Sequence, residues 1–392
     1  MMRVWMISFR WPPVYGGAGK QAQRLAVRLA SRGVAVTALT ARHDKSLASR
    51  EVVDGIPVRR LGVGPWPRRR SVFFFLSAAL YLLRNAGRID VVHVLGAYLR
   101  VVPVVSAAKL IGKKTVIKMT SHGTDDPLST GKRAFGGLVR AAMRKSDAVI
   151  SLGGAMSESY RESGLPETKL VEIPNGVEAD RFRPSPADED RGAMKDRMGI
   201  PYDAEVVTFV GPLSHDKGVD TLLLAWPQIV DLRPRAYLLL VGPLRPAALA
   251  GFPTLESLTS DSMRIRATGE IDSVARCLRI SDLFVLPTRF EGLPNSLLEA
   301  MSSGIACVAS RIPSTEEITE NGRSAVLVEP GDPARLVEAV AALLDDPERR
   351  RALGAAARER IENKYAMEIV ADAHAELYRR IAGEAARSGE MG

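Results

Sequence analysis

Cysteine is nearly absent from this chain, with Cys277 and Cys307 the only two in 392 residues. Their spacing matches neither a CxxC pair nor a metal-ligand set. A disulfide scaffold and a zinc module are therefore excluded, and a reducing, cytoplasmic setting is expected. Long apolar runs are missing too. The longest, Val72–Leu83 (VFFFLSAALYLL), has twelve residues, short of the about 18 that a spanning helix needs. The opening MMRVWMISFRWPP is interrupted by Arg10 and Pro12 too soon for a signal peptide.

Two phosphate motifs are also missing. The glycine-rich stretch PPVYGGAGKQAQ has Gln21 after Lys20, where a P-loop needs Ser or Thr, and Val14 where its first glycine belongs. A dinucleotide fingerprint needs an acid after the second strand, and here Ala41-Arg42 follow. An NTPase and an NAD enzyme both fit poorly. No nucleic-acid-binding module is present, so nucleic acid is not expected as a partner.

Acids are scarce in the first half. Residues 1–185 carry 30 Lys+Arg against 13 Asp+Glu, a net +17, and the remainder carries 24 against 32, a net −8, which together give the total of +9. Such asymmetry points to an anionic partner for the basic half. PWPRRRS immediately before Val72–Leu83 favours an anionic membrane surface, because basic residues beside an apolar helix suit an interfacial anchor. A buried helix beside a solvated basic face is the other reading.

What is plentiful is rhythm. RVWMIS, VAVTALT, DVVHVL, KTVIKMT, DAVISL and KLVEIP alternate with helical patterns, among them a helix over about 18–31. After the linker RPSPADEDRGAMKDRMGIP the rhythm restarts with EVVTFVG, AYLLLVG, RIRATG, DLFVLP, IACVAS and SAVLVEP. Nearly apolar runs of this kind suit parallel strands covered on both faces. Strand, helix, strand, twice over, predicts two doubly wound α/β domains facing a central cleft. The expected division is 1–185, 186–365 and a C-terminal helix over 366–392 packing back on the first domain.

Ligands of such sheets lie beyond the carboxyl ends of the strands. Gly16 and Gly17 enter a helix there, offering backbone N–H groups to an anion or merely making a turn. In FVGPLSHDKG, Lys217-Gly218 sits between a strand and a helix, as a point charge for a phosphate or a solvated lysine. PTRFEGLPNSLLEAMSSG sets Glu291 and Glu299 on either side of seven residues. Ser296-Leu297-Leu298-Glu299 reads as a capping box, which accounts for Glu299 but not for Glu291-Gly292. Asp188 and Asp190 form D-x-D, a spacing that can bind a divalent ion, but the motif lies in the linker and off any strand; chance is the better account.

Together these segments resemble the retaining glycosyltransferases of family 4, which have the GT-B fold. The resemblance runs over nearly the whole chain: PPVYGGAG, TSHGTD, IPNGVEADRFRP, FVGPLSHDKG, the paired glutamates of FEGLPNSLLEAMSSG, and the closing VEPGDPARLVEAVAALLDDPERRRALGAAAR. It implies a nucleotide-sugar donor held mostly against the second domain. Glu299 would accept from the ribose hydroxyls and Glu291 from the transferred sugar. Gly292, Leu293, Pro294 and Asn295 would line the sugar and phosphate pocket. Lys217 would neutralise the diphosphate with backbone N–H groups of Gly16 and Gly17 closing on it, and His122 would orient the reacting sugar. Neither a metal nor another cofactor is implied, and no side-chain nucleophile. The implied acceptor is lipid-linked or a small molecule in glycan assembly.

One position departs from the family pattern. Pro212 stands where arginine is usual, and it has no N–H to donate. His215 and Arg245 are the candidates to compensate. The alternative is a degenerate GT-B protein that binds a nucleotide without catalysis.

Overall fold

The computed structural model describes all residues except 15, 65–68, 187–189, 245–262, 272 and 384–392. Arg245, Asp188 and the first part of PWPRRRS fall outside the described residues. The chain forms two compact units, residues 1–176 with 367–392, and residues 177–366. The crossing thus comes at Gly176/Val177, earlier than the expected 185/186.

The first unit holds an eight-stranded sheet: β1 (Met2–Ile7), β2 (Val34–Ala41), β3 (Arg50–Val53), β4 (Ile56–Leu61), β5 (Val91–Leu95), β6 (Lys114–Lys118), β7 (Ala148–Ser151) and β8 (Leu170–Glu172). Its order is β3-β4-β2-β1-β5-β6-β7-β8, parallel except for the β3–β4 pair. That pair is a hairpin the strand rhythm did not announce. Its signal was Asp54-Gly55, both at positive φ, which is the dipeptide a tight hairpin turn selects.

Among the described residues, the α-helices of this part of the chain are α1 (Gly17–Ala30), α2 (Arg70–Arg84), α3 (Val102–Leu110), α4 (Pro127–Gly131), α5 (Gly136–Lys145) and α6 (Gly154–Glu162). The central strands β1, β5, β6 and β7 are buried on both faces, β1 lacking cover only at Arg3, which explains their nearly continuous apolar sequences.

The second unit holds β9 (Glu205–Val210), β10 (Ala236–Val241), β11 (Ile265–Gly269), β12 (Leu283–Leu286), β13 (Cys307–Ser310) and β14 (Val326–Val328). All run parallel, in the order β11-β10-β9-β12-β13-β14. Its helices are α7 (Arg191–Arg197), α8 (Val219–Leu232), α9 (Val274–Ile280), α10 (Asn295–Ser302), α11 (Pro313–Thr319), α12 (Pro333–Asp345) and α13 (Pro347–Arg360). The last helix, α14 (Met367–Ala382), packs on α1 of the first unit.

Within each sheet the strand order reverses once, between β1 and β5 in the first and between β9 and β12 in the second. Adjacent loops leave in opposite directions at such a point and open a crevice beyond the strand ends.

Candidate active site

Lys217 and Glu291 come from the two loops at the reversal in the second sheet, after β9 and after β12. Lys217 Nζ lies 2.5 Å from Glu291 Oε1, and each side chain keeps a little under a fifth of its surface exposed. Burial pushes the Glu291 carboxyl up, and the Lys217 ammonium pulls it back only in part.

The two loops are stitched together around this pair. Arg289 N–H donates to the Asp216 carbonyl at 3.0 Å and Thr288 Oγ1 donates to the same oxygen at 3.1 Å. The Arg289 guanidinium grips Asp220 with two bonds of 2.7 Å and reaches the His215 carbonyl at 2.5 Å. Gly218 has φ +67, and a Cβ there would stand 1.8 Å from the Pro287 carbonyl oxygen. Only glycine lets the lysine turn lie this close to the end of β12.

Beyond Glu291 the chain bends through Gly292 and Leu293 to Pro294, and α10 starts at Asn295. The capping box expected at Ser296 is not formed. Pro294 occupies the N-cap, no side chain caps the helix, and the Pro294 carbonyl accepts from the N–H groups of Leu297 and Leu298. The helix begins two residues too early for Ser296 to sit outside it as the N-cap. Glu299 does not cap the helix; it lies on the buried side of α10 with 7% of its surface exposed.

In the first unit, Gly16 is the N-cap of α1 and Gly17 its first residue, just past β1. First-turn N–H groups have no intrahelical acceptor, so this end is polarised toward an anion. Gly19 is needed for a different reason: a Cβ would stand 2.2 Å from the Arg10 carbonyl oxygen. His122 lies in the loop after β6. Its Nδ1 is buried and without a hydrogen-bond partner among the described residues.

That loop is organised by Asp125, which sequence reasoning missed. Its carboxylate accepts from the N–H groups of Ala97 (3.1 Å), Thr120 (2.9 Å) and Ser121 (2.7 Å) and from Thr120 Oγ1 (2.8 Å). Burial pushes the Asp125 carboxyl up against the pull of these bonds. The available signal was an acid three residues after a candidate histidine, within a short loop of small polar residues.

Three of the other histidines make contacts within the fold. His43 Nε2 meets the Phe9 carbonyl at 2.7 Å, His93 Nδ1 meets the Tyr378 hydroxyl at 2.6 Å, and His374 Nδ1 meets the Val370 carbonyl at 2.7 Å. His215 is mostly exposed, 3.7 Å from Asp220. Pro212 contributes a carbonyl that accepts from Ser214 Oγ at 3.4 Å. Arg289, on the neighbouring loop after β12, has its guanidinium taken up by Asp220. Asp190 of the D-x-D motif is the N-cap of α7, accepting from Ala193 N–H at 2.8 Å.

Residues 16–176 match the family described as "Glycosyl transferase 4-like domain", and residues 204–346 match "Glycosyl transferases group 1". The chain is 30% identical to D-inositol 3-phosphate glycosyltransferase 1 of Catenulispora acidiphila, over 87% of this chain and 85% of that one. It belongs to the glycosyltransferases of family 4. A second relative of this glycosyltransferase is a GDP-mannose-dependent monoacylated alpha-(1-6)-phosphatidylinositol monomannoside mannosyltransferase of Corynebacterium glutamicum, 32% identical over 51% of this chain and 53% of that one. Among solved structures, Anabaena HepE in complex with UDP and glucose superposes with a TM-score of 0.79, at 18% identity over 97% of this chain and all of that one. The fold of this glycosyltransferase is GT-B, two parallel-sheet α/β domains.

Proposed function

We propose that this glycosyltransferase moves a hexosyl group from a UDP- or GDP-sugar to a hydroxyl of a lipid-linked or small-molecule acceptor, with retention, in glycan assembly. The observation that carries the reading is the Lys217–Glu291 pair, locked at the strand reversal of the second sheet by the Arg289 and Gly218 contacts. The ammonium has three donors and spends one on Glu291, so it has two left for diphosphate oxygens. The carboxylate accepts from vicinal sugar hydroxyls without any need to change its charge.

The bond from the anomeric carbon to the diphosphate breaks as the bond to the acceptor oxygen forms on the same face, and the acceptor's proton passes to the departing phosphate. Lys217 stabilises the charge that develops there, which is the kind of preset interaction that supplies much of a rate enhancement. No metal is assigned a part. Glu299 takes the ribose hydroxyls, and Gly292, Leu293, Pro294 and Asn295 line the pocket. The roles of His122, Gly16 and Gly17 toward the donor rest on the family likeness. The UDP and glucose bound by HepE, and the GDP-mannose dependence and lipid substrate of the Corynebacterium relative, support the two donor classes and a lipid-linked acceptor at the cytoplasmic face of a membrane.

Pro212 favours one second reading, a protein that binds the nucleotide without transferring sugar. A thermal-shift panel of UDP- and GDP-sugars on wild type, Lys217→Met and Glu299→Gln tests the first reading. Binding to the folded state alone raises the melting temperature. One nucleotide family should stabilise the wild type, and both variants should lose most of that shift. A flat panel, or a shift retained in both variants, overturns the assignment. Stabilisation with no release of free nucleotide over long incubation with donor and acceptor extracts selects the second reading.

A further inference from the structure

The outer face of α2 carries a run of exposed apolar side chains. One side of the helix, with Phe74, Phe75, Ala78 and Leu82, is buried against α3 and the sheet. The other side exposes Val72 (45%), Leu76 (45%), Leu80 (55%) and Leu83 (38%). At helical spacing these four fall within an arc of roughly 80°, along a helix about 22 Å long. Apolar side chains scattered over a surface need no explanation, but a continuous stripe does.

The stripe does not end at α2. The turn Leu99–Val101 packs against both α2 and α5, and Arg100 Nη1 holds Ser71 Oγ at 2.5 Å. Leu99 is exposed on that turn, and Phe135 (69%) and Leu138 (50%) are exposed at the start of α5.

Charge decides what would cover this surface. No Asp or Glu occurs between Asp54 and Asp90, and the only two from 91 to 146, Asp125 and Asp126, are buried. Arginines stand at both ends of the stripe: Arg69 precedes α2, on the arc of the four aliphatic residues, while Arg84 and Arg88 follow Leu83, and all three are exposed. Beside Phe135 and Leu138 lie exposed Lys132, Arg133, Arg140 and Arg144.

We propose that this face, from α2 across the turn at Leu99 to α5, docks on an anionic lipid bilayer with α2 lying in the plane of the membrane. The aliphatic stripe enters the boundary between headgroups and acyl chains. The flanking arginines meet lipid phosphates, whose oxygens a guanidinium fork engages in pairs. Each basic residue at such a surface contributes roughly five-fold in binding, attenuated by salt. The inference stands on the surface of the first unit and goes beyond the donor chemistry.

Co-sedimentation of the full chain with phosphatidylglycerol-containing vesicles and with pure phosphatidylcholine vesicles tests it. The wild type should pellet with the anionic vesicles, several-fold more at low salt than at high salt, and not with the neutral ones. Leu76→Glu/Leu80→Glu should lose at least ten-fold in vesicle binding at an unchanged melting temperature, because both positions are exposed. Arg69→Gln/Arg84→Gln should lose binding and flatten the salt dependence.

Failure of the wild type to bind anionic vesicles overturns the proposal. So does binding that both double variants retain. Concentration-dependent self-association abolished by Leu76→Glu/Leu80→Glu, with no vesicle binding, would assign the face to a second copy of the chain instead. Nucleotide stabilisation measured without vesicles should be unchanged in both variants, so the docking face and the donor site fail separately.

Discussion

At Gly218 one methyl group decides whether the lysine turn can close on the end of β12. Its φ of +67 is a conformation that costs an L-residue about 1–2 kcal/mol by itself, and the Pro287 oxygen adds a collision. Gly331 has a similar φ of +78 with nothing within 4 Å of the added carbon. Gly218→Ala should therefore lower stability by upwards of about 3 kcal/mol and remove donor binding, since the turn carries Lys217. Gly331→Ala should cost about 1 kcal/mol and leave donor binding intact. Denaturant unfolding and the nucleotide thermal shift read both quantities, and equal costs for the two substitutions would refute the close-approach argument. Asp125 makes a second case at this scale. Asp125→Ala strips four donors of their acceptor, so it should destabilise the His122 loop by about 3 kcal/mol or more. Faster hydrogen exchange at Thr120 and Ser121 would report it, and unchanged protection would contradict it.

The elements show where the sequence was legible and where it was not. Every strand read from an apolar run is present, because a parallel strand buried on both faces must be nearly apolar throughout. The β3–β4 hairpin was missed because at the edge of the sheet only alternate residues are covered, as at Glu51 and Ile56, so no continuous run marks it. The paired glutamates and Lys217 were legible as candidates, but their 2.5 Å pairing depends on β9 and β12 being neighbours across a long stretch of sequence, and no local pattern encodes that. The capping box was misread for a local reason. Ser-x-x-Glu fits the motif, but the Pro294 carbonyl already closes the first turn and draws Ser296 inside the helix. The consequence is measurable. Ser296→Ala should change stability by less than about 0.5 kcal/mol, while Asp346→Ala, which removes the acceptor of Arg349 N–H at 2.9 Å, should cost about 1 kcal/mol. If Ser296→Ala costs as much as Asp346→Ala, the cap at Pro294 is wrong.

Over the whole molecule the decisive feature is the return of the last helix to the first unit. Arg32 pairs with Asp372 at 2.6 Å and with Glu368 at 2.8 Å, and Arg28 reaches Glu368 at 3.0 Å, which ties the outer edge of α14 to α1. Beneath that edge, α14 covers His93 on β5 and Lys118 on β6 with its own His374 and Tyr378. Burial pushes His93 down to about 3, His374 well below the ordinary histidine value, and Lys118 down to about 7, while it raises Tyr378. Each shift has a sign. Below about pH 6.5 the unfolded chain protonates both histidines while the folded one does not, so stability falls with falling pH, by up to about 1.4 kcal/mol per unit for each. Between pH 7 and about 10 the unfolded Lys118 holds a proton that the folded one has released, so stability rises with pH. Above about pH 10 the unfolded Tyr378 ionises first, and stability falls again. The melting temperature of the first unit should accordingly climb out of the acid limb, rise further above pH 7 and reach its maximum near pH 10. His93→Leu/His374→Leu should flatten the limb below pH 6.5 relative to wild type, and Lys118→Met should flatten the rise above pH 7 while leaving the acid limb in place. Calorimetry across pH 4.5–10 compares the three proteins. An acid limb of the same steepness in wild type and the double histidine variant would mean that these rings titrate alike folded and unfolded, and that α14 does not seal them from water.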